Sequence, residues 1–578
     1  MTKVRLFAAA GLFTGLLFCF IFLLWDLQVV QGADYLEQSR QAIALTETVP
    51  AARGKLLDRN GKILAQDRVT WTIRVSGDCP EPDLQRLEAL CREEGVDWSG
   101  AGDITDPTPE LLVRVRSEDL TRVTILPAVT RQGSGDLAPH VIGRVGPMDP
   151  DQWEDYREKG YPMDALVGQD GAEAAFEDLL HGTDGTKIIH TDRQGEVTGE
   201  GYALPPEPGQ DVTLTLDRDL QEALQTALGD FLTDKGCPGG AGVVLDVTDG
   251  GVLAMASLPG YDTATFSAEY AHLSADPAAP LVNRAIQGLY APGSTFKLVT
   301  AAAALEEGVL TPETRILDTG RYTYYTTPQP QCWLYRQEGR THGLETLTEA
   351  LTDSCNIFFY DAGRRVGIDT LDTWARTLGL GESTGIELAG EKTGVVAGPA
   401  YTQSVGGTWY EGSVLSAAIG QENNRFTPLQ LAHMTATLVG DGSRWQVHLL
   451  KKTGVEAYVP VSLGKVTLQP ENLTAIKEGM LAVTRTGSLA SAFRDLPVSA
   501  GAKTGSAQVS GAEESNAVLV AFAPYEDPQI ALALVAQEGG SGSALGEVAA
   551  EVLRQYFGER KTPVHLTKGT GGGYTESR

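Results

Sequence analysis

GAGVVLDVTDGGVLAMAS, residues 240–257, reads as two apolar strands joined by a turn that contains Asp249-Gly250-Gly251, a hairpin. Upstream of it, DVTLTLD (Asp211–Asp217) alternates as a strand, and an amphipathic helix is expected over about 219–232. Downstream, the pattern from Ser294 to about Glu307 is helical and alanine-rich, and helical segments dominate to about residue 440. Strands return at Val498–Val509, Ala517–Ala523 and Ile530–Ala536, and a last helix is expected over about 545–557. Strands at both ends with helices between them predict an α/β (α+β) fold, a mostly antiparallel sheet covered by helices.

This domain is expected to occupy residues 206–560. LPPEPGQD (Leu204–Asp211) reads as a linker, with spaced prolines and no periodicity. Before it, residues 26–205 mix short apolar runs with Gly, Pro and acidic loops, as a separate mixed α/β domain would. Residues 561–578, polar and Gly-rich, are expected to be disordered. At the other end, Leu6–Trp25 runs 20 residues without a charge, enough helix to cross a bilayer core of roughly 30 Å. Lys3 and Arg5 precede it and Asp26 follows, which predicts residues 1–5 in the cytoplasm and the bulk of the chain outside. The WDLQVV that follows is a poor cleavage site, so an uncleaved anchor is expected at 6–25.

The net charge of −29 over 578 residues repels phosphate backbones and argues against nucleic-acid binding. Six cysteines lie scattered with no CxxC pair, so none implies a zinc or redox site. Cys79 and Cys91 read equally as a disulfide or as buried free thiols.

The chemistry starts at Pro292-Gly293-Ser294-Thr295-Phe296-Lys297, which opens the alanine-rich helix. Ser294 is expected at or near the helix N-terminus, where unpaired N–H groups favour negative charge developing on its oxygen. Lys297 falls one turn on, on the same face. A lysine can activate a serine if burial and neighbouring charge lower its proton affinity. Ser462-x-x-Lys465 matches the same spacing but lacks both the preceding Pro-Gly and the apolar helix.

Ser354-Cys355-Asn356 is the only Ser-x-Asn in the chain, set between apolar helical segments as a short loop would be. The pattern Lys-Thr-Gly occurs three times, at Lys392, Lys452 and Lys503. Only Lys503-Thr504-Gly505-Ser506 is flanked by small residues on both sides, which lets a substrate backbone approach. Lys503 supplies a cation and Thr504 and Ser506 supply hydroxyls for a carboxylate.

Ser-x-x-Lys, Ser-x-Asn and Lys-Thr-Gly in that order resemble the signature of the penicillin-recognising serine enzymes. The resemblance is to the class B penicillin-binding proteins. NRAIQGLYAPGSTFK (283–297), AIGQENNRFTPLQLA (418–432) and FAPYEDPQIALALV (522–535) look like blocks of their transpeptidase domain. RGKLLDRNGKILA (53–65), HVIGRVG (140–146) and GQDGAEAAFEDLLHGTDG (168–185) look like blocks of their pedestal, or dimerisation-type, domain. Three features depart: Ser506 where Thr is commoner, Ser515-Asn516-Ala517 where a His and an aromatic are frequent, and a compact pedestal.

The resemblance implies a β-lactamase/transpeptidase-like domain behind an anchor and a pedestal, acting as a peptidoglycan D,D-transpeptidase. Ser294 would attack the penultimate D-Ala of a stem peptide with Lys297 as base. Ser354 and Asn356 would relay protons and orient the substrate amide. Lys503 and Thr504 would hold the terminal carboxylate and Gly505 and Ser506 would complete the substrate-binding strand, with the Ser294 and Ser506 N–H groups as the oxyanion hole. No metal and no organic cofactor is implied. The implied partners are peptidoglycan stem peptides, lipid-linked precursors, β-lactams, the inner membrane and a membrane glycosyltransferase of the shape, elongation, division and sporulation family. The elongation type is resembled slightly more than the others, which leaves the cellular role open. The alternatives are a membrane-anchored serine β-lactamase, which is usually a single soluble domain, and a catalytically silent scaffold for a glycosyltransferase.

Overall fold

The computed structural model describes residues 2–558 apart from 34, 36–43, 119, 164, 192–196, 509–510 and 512–513. The expected disordered tail lies outside the described residues. The chain divides into two compact units, Met1–Gly54 with His181–Gln210, and Lys55–Leu180 with Asp211–Arg578.

In the first unit, helix α1 (Thr2–Trp25) continues into a π-helical turn, Asp26–Val30. The stretch long and apolar enough to span a bilayer is Ala10–Val30, all of it unburied. It runs past the expected end at Trp25, because Leu-Gln-Val-Val after Asp26 sustains both the helix and its apolar surface. A three-stranded antiparallel sheet, Ala44–Val49, Gly185–Thr191 and Val197–Leu204, completes this unit.

The second unit begins with a long ribbon in which Ile63–Val75 pairs antiparallel with Val123–Gln132. Helices Glu81–Glu93 and Pro109–Ser117 lay Leu87, Leu90, Cys91, Leu111 and Val115 over Ile73 and Ile104. All six cysteines are free, so Cys79 and Cys91 do not pair, and Cys91 is a buried member of this small core. The RGKLLDRNG block ties the pedestal to the catalytic part. Leu56–Leu57 pairs in parallel with Val212–Leu214, and buried Asp58 accepts hydrogen bonds from Asn60, Lys62 and Arg218 N–H groups. The boundary expected at 205/206 therefore falls within a chain path that returns to pair with the pedestal.

The central sheet is antiparallel. Its strands are β1 (Gly240–Asp246), β2 (Val252–Leu258), β3 (Gly501–Ala507), β4 (Asn516–Ala523) and β5 (Ile530–Ala536), in the order β2-β1-β5-β4-β3. Both faces are covered, which is why β1 and β5 read as unbroken apolar runs. Ala531, Ala533 and Val535 of β5 face one core, while Ile530, Leu532 and Leu534 face the other. The second core receives α2 (Arg218–Lys235), whose Leu220, Leu224, Leu228 and Leu232 recur every fourth residue. Burying each such leucine contributes roughly 2 kcal/mol. Helix α3 (Lys297–Glu306) lies in the first core, every residue from Lys297 to Leu305 buried. Helix α4 (Asn356–Val366) packs against it, α5 (Pro428–Val439) covers the sheet, and α6 (Gly546–Gly558) closes the second core.

The strand expected over 498–509 is shorter, β3 alone. The helix expected to start at Ser294 starts at Lys297; Gly293–Phe296 is a 3-10 turn. Its cause is local. Gly293 takes φ +54°, and Thr295 turns both its N–H (3.4 Å) and its hydroxyl (2.8 Å) to the Pro292 carbonyl, closing a three-residue ring in place of an α turn.

Candidate active site

Four glycines let the Ser294 turn approach its neighbours. A methyl group on Gly293 would lie 2.9 Å from the Ser506 carbonyl oxygen, and one on Gly505 would lie 2.5 Å from the Pro292 carbonyl oxygen and 3.3 Å from Ser294 N. Gly420 (φ +73°) abuts the Gly293 carbonyl, and Gly542 abuts Gly505. The Ser294 and Ser506 peptides are thus held side by side, with half-buried Ser294 at the edge of the packed turn. Gln421 Nε2 donates to Ser506 O at 3.3 Å, and Gly542 N donates to Ser506 Oγ at 3.3 Å. Gly420→Ala would set a methyl 2.1 Å from the Gly293 carbonyl oxygen in a backbone conformation that costs alanine about 1–3 kcal/mol. We expect β-lactam acylation of that variant to slow by roughly a hundredfold, through displacement of the turn. Stopped-flow acylation and a thermal melt check the two effects separately.

Both motif lysines are fully buried and converge on Ser354. Lys297 Nζ donates to Ser354 O (2.7 Å) and Asn356 Oδ1 (2.8 Å) and lies 3.2 Å from Ser354 Oγ. Lys503 Nζ lies 3.0 Å from the same Oγ and 3.1 Å from Thr504 O. Burial pulls Lys297 down to about 8. Burial, and then the neighbouring Lys297 amine, push Lys503 well below the ordinary lysine range. Two ammonium groups sharing one hydroxyl repel, so the pair gives up a proton readily. A neutral Lys297 amine has two N–H groups and a lone pair. The two N–H groups match Ser354 O and Asn356 Oδ1, and the lone pair is left for a hydroxyl proton. Lys297 makes no hydrogen bond to Ser294 Oγ among the described residues; such contacts often tighten only once substrate is bound.

Ser354 has φ +55°, left-handed for a non-glycine residue, and Asn356 is the first residue of α4. That kink turns the Ser354 carbonyl and hydroxyl both to Lys297. The structure thus brings Lys297, Ser354, Asn356 and Lys503 together, and packs Ser294, Gly505 and Ser506 around one turn. Thr504 is half-buried on the same strand. The competing matches lie elsewhere. Ser462–Lys465 is an exposed edge strand, Gly394 packs under the Arg425 carbonyl, and Lys452 pairs with Ala457 in a surface ribbon. Asn516 begins β4, and its Oδ1 accepts from Glu538 N at 3.0 Å, which stiffens the strand end.

Beside this site lies a group that scattered spacing concealed. Asp318, Cys332, His342 and Cys355 place one donor atom each within 4.8 Å of one another. Asp318 Oδ2 lies 2.8 Å from His342 Nδ1, which lies 3.5 Å from Cys332 Sγ. The Cys355 thiol donates to Cys332 and, with His342 and against burial, pulls it well below the usual thiol range; the same bond pushes Cys355 up. One carboxylate, one imidazole and two sulfurs suit a tetrahedral ion such as Zn²⁺. Because Cys355 is the middle of Ser-x-Asn, an ion here would brace the Ser354 kink. Elemental analysis of the purified chain is expected to find about one zinc per polypeptide, and a chelator to lower the melting temperature. Cys332→Ser is expected to lose both the metal and the chelator effect.

The family model for the penicillin binding protein transpeptidase domain matches residues 240–558, and that for the penicillin-binding protein dimerisation domain matches residues 101–214. Peptidoglycan D,D-transpeptidase MrdA of Escherichia coli strain K12 is 31% identical, across 92% of this chain and 90% of that protein. A chain from a structure on the coordination of polymerization and crosslinking by a peptidoglycan synthase complex superposes with TM-score 0.75 at 32% identity, covering 97% of this chain and 99% of its own. Pseudomonas aeruginosa PBP2 in complex with WCK 5153 superposes with TM-score 0.68 at 27% identity, covering 89% and 96%. With a dimerisation domain followed by a transpeptidase domain, and an apolar helix suited to anchoring them, the chain belongs to the class B penicillin-binding proteins, the peptidoglycan D,D-transpeptidases.

Proposed function

We propose that Ser294 is the nucleophile of this transpeptidase and Lys297 the base that activates it. The observation that carries the reading is the Lys297 amine, fully buried, held near neutrality, with both N–H groups directed at acceptors and its lone pair left over. Ser294 Oγ adds to the carbonyl of the penultimate D-Ala while its proton passes to Lys297. The Ser294 and Ser506 N–H groups receive the oxyanion. Ser354 Oγ, within reach of both lysines, carries that proton to the leaving nitrogen, the C–N bond breaks and D-Ala departs. The amine of a neighbouring stem then attacks the acyl ester, gives up its proton along the same path and frees Ser294. Lys503, pushed down in the free enzyme, recovers its charge when the substrate carboxylate arrives, and Thr504 and Ser506 add hydroxyls. That arrangement selects peptides with a free C-terminal D-Ala. A β-lactam enters as an acyl donor whose ester is not released.

The test is to supply the detergent-solubilised chain with uncross-linked polymer. Release of one D-Ala per new stem-to-stem bond supports the reading. Rapid penicillin turnover without cross-links would make the chain a β-lactamase, and neither product would make it a silent scaffold. Lys3 and Arg5 support an N-terminus retained in the cytoplasm, with the catalytic unit outside. Protease protection of the catalytic unit in spheroplasts would overturn that orientation. The likeness to a chain of a peptidoglycan synthase complex supports a membrane glycosyltransferase of the shape, elongation, division and sporulation family as partner, fed by lipid-linked precursors. Failure of the two to co-purify from membranes would remove that partner.

A further inference from the structure

We infer that a second cleft, which shares no residue with the catalytic site, binds the carboxylates of uncross-linked stem peptides and so retains the polymer strand during catalysis. The inference rests on the D,D-transpeptidase reading. The cleft encloses about 760 Å³ between pedestal residues and the catalytic-domain residues Arg218 and 262–264. That volume is in the range of pockets that enclose small ligands.

Four guanidinium groups line it, Arg68, Arg131, Arg144 and Arg218, against three carboxylates, Asp106, Glu173 and Asp262. Each guanidinium has a partner acid: Arg68 pairs with Asp106, Arg131 with Asp67 and Glu173, Arg144 with Asp170 and Arg218 with Glu222. Arg131 is the central group. Its side chain is 8% exposed; Nε donates to Glu173 at 2.7 Å and Nη1 to Asp67 at 3.1 Å. Nη2 is buried and meets no acceptor. Arg144 sits 3.8 Å over the Phe266 ring, and its Nε, 3.2 Å from Asp170 Oδ2 but off the hydrogen-bond line, is likewise buried with no acceptor. Buried guanidinium donors are ordinarily paired, so two orphaned ones on one cavity wall call for acceptors from a ligand. Guanidinium edges match planar carboxylates. The partner acids already offset much of the positive charge, and the field of the whole chain repels a polyanion. What fits is a single carboxylate set apart from other acids, and the C-terminal carboxylate of an uncross-linked stem peptide on a sugar strand is such a group.

The experiment uses the detergent-solubilised full chain, its catalytic serine first acylated by penicillin so that the catalytic cleft is filled. Calorimetric titration then compares three probes: soluble glycan strands bearing pentapeptide stems, the same strands stripped of peptide, and inorganic phosphate. The acylated protein is expected to bind only the stem-bearing strands. Arg68→Gln combined with Arg218→Gln, two half-exposed positions that leave the fold intact, is expected to weaken that binding by at least about tenfold. Arg131→Lys is expected to weaken it further. Absence of strand binding by the acylated wild type, or equal affinity in the double variant, would overturn the inference. Phosphate binding as tightly as the strands would overturn the stem-peptide assignment. Penicillin labelling in the same preparation reads the catalytic proposal independently, so full labelling without strand binding sinks this inference alone.

Discussion

Ser294→Ala is expected to abolish covalent labelling by a fluorescent penicillin while leaving the melting temperature within about 1 °C of wild type. The two halves of that expectation have separate causes. Ser294 is half-buried and its hydroxyl has no hydrogen-bond partner among the described residues, so losing one oxygen costs stability about 0.5 kcal/mol or less. The chemistry has no substitute nucleophile. Ser354 Oγ lies against Lys297 and Lys503, and its residue is fixed in a left-handed conformation. Removing a nucleophile from a preorganised acyl-transfer site costs on the order of a millionfold, about 8 kcal/mol of barrier. Ser462→Ala, on an exposed edge strand, is expected to label fully. Labelling that survives in Ser294→Ala and disappears in another serine variant would move the nucleophile.

The second large effect belongs to Lys297. The acylation rate constant is expected to rise about tenfold per pH unit below about 8 and to level off above it, because the neutral amine is the active form. The same shift has a stability sign. The amine is held below its ordinary 10.5, so the stability it contributes is full above 10.5 and is lost as pH falls through about 8. Acylation and melting temperature measured together from pH 6 to 10 check both. Lys297→Met should slow acylation by roughly a thousandfold or more. It also leaves Ser354 O and Asn356 Oδ1 without their donor, at roughly 1–3 kcal/mol. Lys297→Arg separates base from prop, since a guanidinium can donate to both acceptors but cannot give up its proton. Rescue by Arg would assign Lys297 a structural role only.

Much of the catalytic domain was readable because its signals are local. Strands buried on both faces appear as apolar runs, and the hairpin at 240–257 and the strands at 517–523 and 530–536 lie within a residue or two of their expected limits. The three motifs were readable by order and flanking residues, and the small residues around Lys503 distinguish it from the two other Lys-Thr-Gly matches. What stayed hidden depends on contacts distant in sequence. The left-handed Ser354 and the 3-10 turn at Ser294 arise from packing that no local preference signals. Pairing of Leu56–Leu57 with Val212–Leu214 joins segments more than 150 residues apart, so a linker reading of 204–211 could not anticipate it. Asp318, Cys332, His342 and Cys355 follow no metal-binding spacing; only the fold assembles them.

The glycines packed around the catalytic turn bear on how drug resistance can arise in this chain. Gly293, Gly420, Gly505 and Gly542 leave no volume for a side chain against the backbone they touch. A substitution there that weakened a β-lactam would displace the Ser294 and Ser506 amides proposed to receive the oxyanion of the natural donor. Escape under drug selection is therefore confined to positions that a bulky inhibitor reaches and a slender stem peptide does not. Half-buried Asn516, which pairs with Ala507 at the end of β4, is of that kind, and adaptation is channelled to the rim while the centre of the site stays fixed.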